Sequence, residues 1–458
     1  MTGRISLAVH AAAKNGLLGN GVDSGDCDVE DKPMAMFYDL DDWEDNLSLL
    51  RERTFKEKHF KHAVAVKSNP LEWFLKRAKQ LGHGAECATI SEVVHSLNVG
   101  FAPNDVVFDC PCKTIGEIKF ALARGVHLNL DNVQELARVK KLFEGEHAQE
   151  YLNADGSPKS TIGIRINPLV GAGTILEFSV STGKSKFGVP LESEGEGRAT
   201  LVKTVSGIPW ITCVHVHTGS GGMGLNQLVS GVRKAVDFAL EINKRVGSRQ
   251  IKVLDMGGGL AVDFDTEQPL SNFEAYCAEL RKAVPEVFDV NVFDRVVSEF
   301  GASCNTKFGW LASRVEYTKS YDGGRIALIH AGSDIFLRAC YAPEKYVRLK
   351  VYPFDSEGNR IVGKEGDLVP HDIAGPLCFA GDVVVSGAKL PELSVNDIVV
   401  VSDAGGNTLS LHNSHCSRQL PCVYGYKICK EKGSVTFVSI QQRQRIEDAI
   451  SQWKCEGV

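Results

Sequence analysis

From about residue 36 onward, short apolar runs alternate with stretches in which apolar residues recur every three or four positions. MAMFYDL, HAVAVKS, DVVFD, HLNLD, TIGIRINP, WITCVHVHT, KVLDMGGG and RVVSEFG read as strands, and GAECAT as the end of one. Between them, DDWEDNLSLLRERTFKE, LEWFLKRAKQLG, SEVVHSLNVG, TIGEIKFALARG, NVQELARVKKLF and residues 225–245 carry helical spacing. Ile115, Ile118, Ala121 and Leu122, for example, fall on one helical face. Ser91 is placed to open a helix, and Gly100 and Gly125 to close theirs. Repeated strand–helix units set parallel strands side by side, joined by helical crossovers. About eight units in roughly 260 residues suit an α/β fold of the (β/α)8, TIM-like barrel kind, typically about 250 residues long. A doubly wound sheet is the alternative.

After about Gly301 the texture changes. RIALIH, VRLKVYP, DVVVSG, DIVVVSDAG, CVYGYKIC and SVTFVSI are short Val- and Ile-rich runs separated by turns such as DGG and EGN. The expected organisation is therefore a mobile N-terminal segment over 1–35 that partly joins the β domain, a barrel over 36–300, and a mostly-β C-terminal domain over 301–458. The charged stretch ESEGEGRAT, residues 192–200, reads as a surface loop.

Bulk composition narrows the function classes. A chain of 458 residues with 43% hydrophobic and 24% charged residues is an ordinary globular protein with room for two or three cores. Its net charge of −6 gives no electrostatic reason to expect nucleic acid or an anionic membrane as partner. No apolar run reaches the roughly 18 residues of a membrane span. The first twenty residues lack acids and carry Arg4 and Lys14, which leaves an organelle transit peptide open beside the simpler tail. The 13 cysteines are scattered without a C-x-x-C pair, as for reduced thiols in a cytoplasmic compartment, and no metal site is expected.

In such a barrel, reactive groups gather at the C-terminal ends of strands. HAVAVKS delivers Lys67 there, VHVHTGSGG places His217 beside a Gly-Ser-Gly turn, VLDMGGG ends in three glycines, and VVSEFG brings Glu299. A glycine turn at a strand end offers backbone N–H groups to an anion, and two such turns suit one phosphate. Residues 219–224 also formally match a dinucleotide fingerprint, a weak motif in isolation. A solvated lysine at a strand end is the plain reading of Lys67. Together, however, one lysine, one histidine, one carboxylate and a phosphate cradle meet the needs of pyridoxal 5'-phosphate, with Lys67 as the Schiff-base amine.

The order and wording of these segments resemble the alanine-racemase-type barrel of the ornithine and diaminopimelate decarboxylases. The likeness spans about residues 34–430 and includes FYDL, AVKSNP, GAECATISE, GFAPNDVVFDCPCKT, RINP, SKFGVPLE, HVHTGSG, LDMGGGL, SEFG, FLRACY and GPLCFAGD. The resemblance implies a PLP-dependent L-amino-acid decarboxylase that works as a homodimer with shared active sites. It implies Lys67 as the cofactor lysine, His217 stacked on the pyridine, and Ser220 with Gly257, Gly258 and Gly259 at the phosphate. Glu299 is implied at the pyridine nitrogen, with Glu86, Arg165 and Gly301 near the cofactor. Cys378, in GPLC, is implied as the proton donor after carbon dioxide leaves, reaching the lysine site of the opposite subunit. Arg338 and Tyr341 fall in the substrate region.

Departures from the pattern carry information. Ala302 stands where relatives have the arginine of Glu-Pro-Gly-Arg, and Asn407 stands where they have a phosphate-contacting tyrosine. Phe379 and Ala342 replace acids that serve the distal ammonium of the family's diamine-type substrates. A buried ammonium without a paired carboxylate costs several kcal/mol, so a neutral α-amino acid is expected instead. A racemase lacks its second-base tyrosine here. A non-catalytic homologue that binds a protein partner is the alternative of a different class; retention of Lys67, His217, Glu299 and Cys378 opposes it.

Overall fold

The computed structural model describes residues 2–19, 31–192, 195–267, 271–341, 349–429 and 431–455. The chain divides into two units, one of them Leu47–Val262 with Ser271–Cys304. Eight parallel strands of this unit close into a barrel: β1 (Phe60–Ala65), β2 (Gly84–Cys87), β3 (Val106–Asp109), β4 (His127–Leu130), β5 (Ile162–Asn167), β6 (Cys213–Val216), β7 (Val253–Asp255) and β8 (Arg295–Ser298). Val296 pairs with Phe60 to join β8 to β1, and β4 pairs with β5, so the barrel leaves no free edge between its first and last strands. Ala63, Val107, Cys213, Val253 and Val297 fill part of the interior.

Crossover helices follow the expected pattern, with local corrections. Thr89, not Ser91, caps the helix Ile90–Val99, accepting the Glu92 N–H at 3.3 Å. Gly100 and Gly125 close their helices at φ +93° and +76°, conformations that favour glycine. In Ile115–Arg124 the inward face is Ile118, Ala121 and Leu122; Ile115, in the first turn, is exposed. Residues 196–200, expected in a loop, open the helix Glu196–Ser206.

The other unit comprises Met1–Asn46, Asp263–Leu270 and Asn305–Val458. Its nine-stranded sheet includes Met34–Asp39, expected to open the barrel but paired antiparallel with Gly309–Tyr321 and parallel with Cys422–Ile428. Thr2–Lys14, within the segment expected to be mobile, is a helix. Ile5, Ala8, Val9 and Ala12 form one stripe at i, i+3, i+4, i+7 and share a core with Phe37, Trp310, Phe354 and Tyr426. Arg4 ties this helix to Asp39 through hydrogen bonds of 2.5 and 2.7 Å. Among the described residues no cysteine is disulfide-bonded, and no helix is long and apolar enough to cross a membrane.

Candidate active site

The C-terminal ends of the barrel strands carry a dense set of polar side chains. Lys67 lies in a 3-10 turn, Val66–Ser68, directly after β1, and its side chain retains half of its exposure. Its Nζ donates to Glu86 on β2. Burial acts to lower the Lys67 ammonium's pKa, but Glu86, Glu299 and Asp109 outweigh it and the net direction is upward. The Glu86 carboxyl is raised by burial, with Lys67 pulling the other way.

Arg165 on β5 donates to Asp109 at the end of β3 at 2.7 Å, both side chains buried. Arg165 also lies over the Phe187 ring, 4.6 Å from its centroid. Burial alone would raise Asp109, but Arg165, then His215 and Lys113, hold its carboxyl well below the usual range. Glu299, just beyond β8, is raised well above the ordinary value by burial and by the nearby Glu86 and Asp109. Asp255 at the end of β7 is raised likewise, by burial and by Glu299; it accepts the Asn129 amide at 2.9 Å and the Gly257 N–H at 3.1 Å.

His217 follows β6. Gly258 N–H donates to its Nδ1 at 3.2 Å, so that nitrogen carries no proton and the neutral ring bears its hydrogen on Nε2, 3.0 Å from Ser220 Oγ. Burial, Arg165 and Lys67 keep the ring well below its usual pKa, hence neutral. The Gly257–Gly259 turn wedges between neighbouring strand ends. A Cβ on Gly257 would lie 2.4 Å from the Val216 carbonyl oxygen, one on Gly258 2.2 Å from that of Glu299, and one on Gly259 1.8 Å from that of Gly219. Only glycine fits these three approaches. Gly301 is similar, its Cβ position being 2.8 Å from that of Ala65.

Of the expected site residues, the barrel unit thus brings together Lys67, Glu86, Arg165, His217, Ser220, Gly257–Gly259, Glu299 and Gly301. Asp109, His215 and Asp255 were not anticipated. Each is a charged or titratable side chain at the end of an otherwise apolar strand, which was the available signal. Asp109, His215 and Glu299 also form a group with metal-ligand chemistry. They make a poor metal site, because Arg165 already pairs with Asp109 and the two carboxylates approach opposite nitrogens of the imidazole.

Cys378, Phe379, Arg338, Tyr341 and Asn407 belong to the other unit. Cys378 is exposed in the turn between strands Val369–Ala374 and Val383–Leu390. Asp382 fixes this turn by accepting the Leu377 and Ser333 N–H groups, each at 2.6 Å. The Cys378 thiol is raised, first by a hydrogen bond with the Cys416 thiol. Phe379 stacks on Tyr341 with ring centroids 5.2 Å apart. Arg338 lies in the short helix Leu337–Tyr341, and Ala342 lies outside the described residues. Asn407 adopts φ +54°, a left-handed conformation that asparagine tolerates.

The pyridoxal-binding domain of the pyridoxal-dependent decarboxylases matches residues 47–305, and the chain belongs to that family. It is similar to diaminopimelate decarboxylase of Helicobacter pylori, 26% identical over 368 residues, 80% of this chain and 84% of that protein. Diaminopimelate decarboxylase of Methanothermobacter thermautotrophicus is 24% identical over 443 residues, 95% of each chain. The crystal structure of the Helicobacter pylori enzyme complexed with L-lysine covers 92% of this chain and 97% of its own, with a TM-score of 0.75 at 23% identity. That likeness shows the fold: a (β/α)8 barrel with a mostly-β domain. The chain is thus a pyridoxal-phosphate-dependent amino-acid decarboxylase.

The barrel residues fit that cofactor. Lys67 offers an accessible amine, and Glu299 Oε1 is buried without a hydrogen-bond partner among the described residues, ready for a ring N–H.

Proposed function

We propose that the chain decarboxylates a neutral L-amino acid, with Lys67 as the amine that links the cofactor. The convergence of Lys67, Glu86, His217, Glu299 and the Gly257–Gly259 turn at one end of the barrel carries this reading. When bound, pyridoxal phosphate supplies the aldehyde that captures an amine and the ring that accepts the electron pair left by carbon dioxide. Lys67 must shed a proton before it can act as a nucleophile, and Glu86, hydrogen-bonded to its Nζ, is placed to take it. Glu299 would hold the ring nitrogen, His217 would lie against the ring as a neutral imidazole, and Ser220 and the glycine turn would hold the phosphate. Arg165 is pinned by Asp109.

Cys378 would return a proton. Its raised thiol stays protonated at neutral pH, the state a donor needs. The proposed arrangement is a homodimer in which Cys378 serves the partner's lysine. Arg338, Tyr341 and Phe379 would meet the substrate, and Asn407 would replace the usual tyrosine near the phosphate with a single amide.

The relatives named above act on diaminopimelate, and the proposal departs from them at the distal end of the substrate. Supporting that departure, the residue after Cys378 is a phenylalanine stacked on Tyr341, which offers an ammonium no carboxylate. Carbon dioxide release should be measured with the cofactor-loaded protein across neutral amino acids, lysine, ornithine and diaminopimelate. Release from neutral substrates alone is expected. Release from a diamine-type substrate would overturn the specificity, and release from none would overturn the catalytic reading.

A further inference from the structure

His215 is used by none of the roles above, yet it sits at the centre of the charged floor. Its side chain is 0% exposed. Its Nδ1 lies 3.7 Å from Asp109 Oδ1 and its Nε2 3.4 Å from Glu299 Oε2. Among the described residues, neither ring nitrogen has a hydrogen-bond partner, nor do Asp109 Oδ1 and Glu299 Oε1. Buried polar atoms left unpaired are costly and few in native proteins. Four at one spot, on three residues facing one another, point to a site whose contacts close when a ligand engages Glu299.

The surroundings give the imidazole a direction. Arg165 holds the far oxygen of Asp109 at 2.7 Å, so that carboxylate is fixed and ionised. An ionised carboxylate only accepts, so the nitrogen facing it, Nδ1, is the one that carries hydrogen. Nε2 then faces Glu299 as an acceptor. Burial, with Glu86 and Asp109 nearby, holds Glu299 toward its protonated form, the form that can donate to Nε2. The other titratable groups around His215 are His127 on β4, His217 after β6 and Asp255 at the end of β7. Lys113, near Asp109, is paired with Glu135 at 3.0 Å.

We infer that His215 is a positioning residue for the cofactor's ring nitrogen: anchored through Asp109 and Arg165, it holds the Glu299 carboxyl at Nε2 and fixes its orientation toward the ring. The inference rests on the pyridoxal-phosphate reading of the site. The chain Arg165–Asp109–His215–Glu299 runs across β5, β3 and β6 to the end of β8, so three strands act on the carboxyl carried by a fourth.

Two substitutions separate this role from mere packing. Glutamine places an amide near the position of Nε2, whereas asparagine reaches only that of Nδ1. The measurements are pyridoxal phosphate affinity, by titrating the visible absorption of the cofactor linked to the protein, and thermal unfolding of the apoprotein. His215→Asn is expected to weaken cofactor binding about 10–100-fold, the range lost when a partner that orients a ligand is removed. His215→Gln should recover most of that loss, and both apoproteins should melt alike. Asp109→Asn should weaken binding in the same way, and combining it with His215→Asn should add little, because the two act in series. Equal affinity in wild type and His215→Asn would overturn the inference, as would equal losses in both His215 variants. Failure of the wild type to bind the cofactor would instead remove the reading on which the inference stands.

Discussion

Asp255 and Glu299 are carboxyl groups held toward protonation, Asp255 by burial and by Glu299, Glu299 by burial and by Glu86. The folded state therefore keeps protons that the unfolded chain releases above about pH 4. Each such group makes the apoprotein less stable as pH rises from there toward its folded pKa, by about 1.4 kcal/mol per pH unit per proton. Glu299→Gln removes one of these protons. Its apoprotein should lose less melting temperature than wild type between pH 5 and pH 8, and a parallel decline in both would refute the assignment. The glycine turn gives a second residue-level test. At Gly259 an added Cβ meets the Gly219 carbonyl oxygen and the backbone sits at φ +99°. Gly259→Ala should cost about 1–3 kcal/mol of stability in chemical denaturation and also weaken cofactor binding. At this scale the sequence was legible where a polar residue followed an apolar run into a glycine motif, as at Lys67, His217 and Glu299. It was less so for His215 and Asp109, whose importance lies in contacts between strands far apart in sequence.

Elements were readable where they carried their own punctuation. The barrel helices declare themselves through their apolar spacing and through Gly100 and Gly125, both left-handed at the helix ends; the Thr114–Glu117 capping box adds to this in the structure. Thr2–Lys14 has no acidic first turn, and its stripe becomes informative only against Phe37 and Trp310. Met34–Asp39 reads as a strand in any register, and its partners lie about 270 and 390 residues away along the chain, beyond the reach of local pattern. The N-terminal helix is therefore a structural part of the β unit. Ile5→Ala should destabilise that unit by about 2–5 kcal/mol, seen as a lower unfolding midpoint, whereas Leu7→Ala, at an exposed position, should change little.

At the scale of the whole molecule, shared active sites would make catalysis a property of the dimer. Lys67→Ala and Cys378→Ala should each be nearly inactive alone. Mixed and allowed to exchange subunits, they should regain about a quarter of wild-type turnover, because random pairing makes about half of the dimers mixed and gives each of those one intact site. No recovery, with exchange verified, would place Cys378 at the lysine site of its own subunit or outside the chemistry.

The central claim is that Lys67 carries pyridoxal phosphate. Borohydride reduction of the loaded protein, followed by peptide mapping, tests it most directly. The reduced cofactor is expected on the peptide containing Lys67, with no label there in Lys67→Ala. Label confined to another lysine, or none at saturating cofactor, would contradict it.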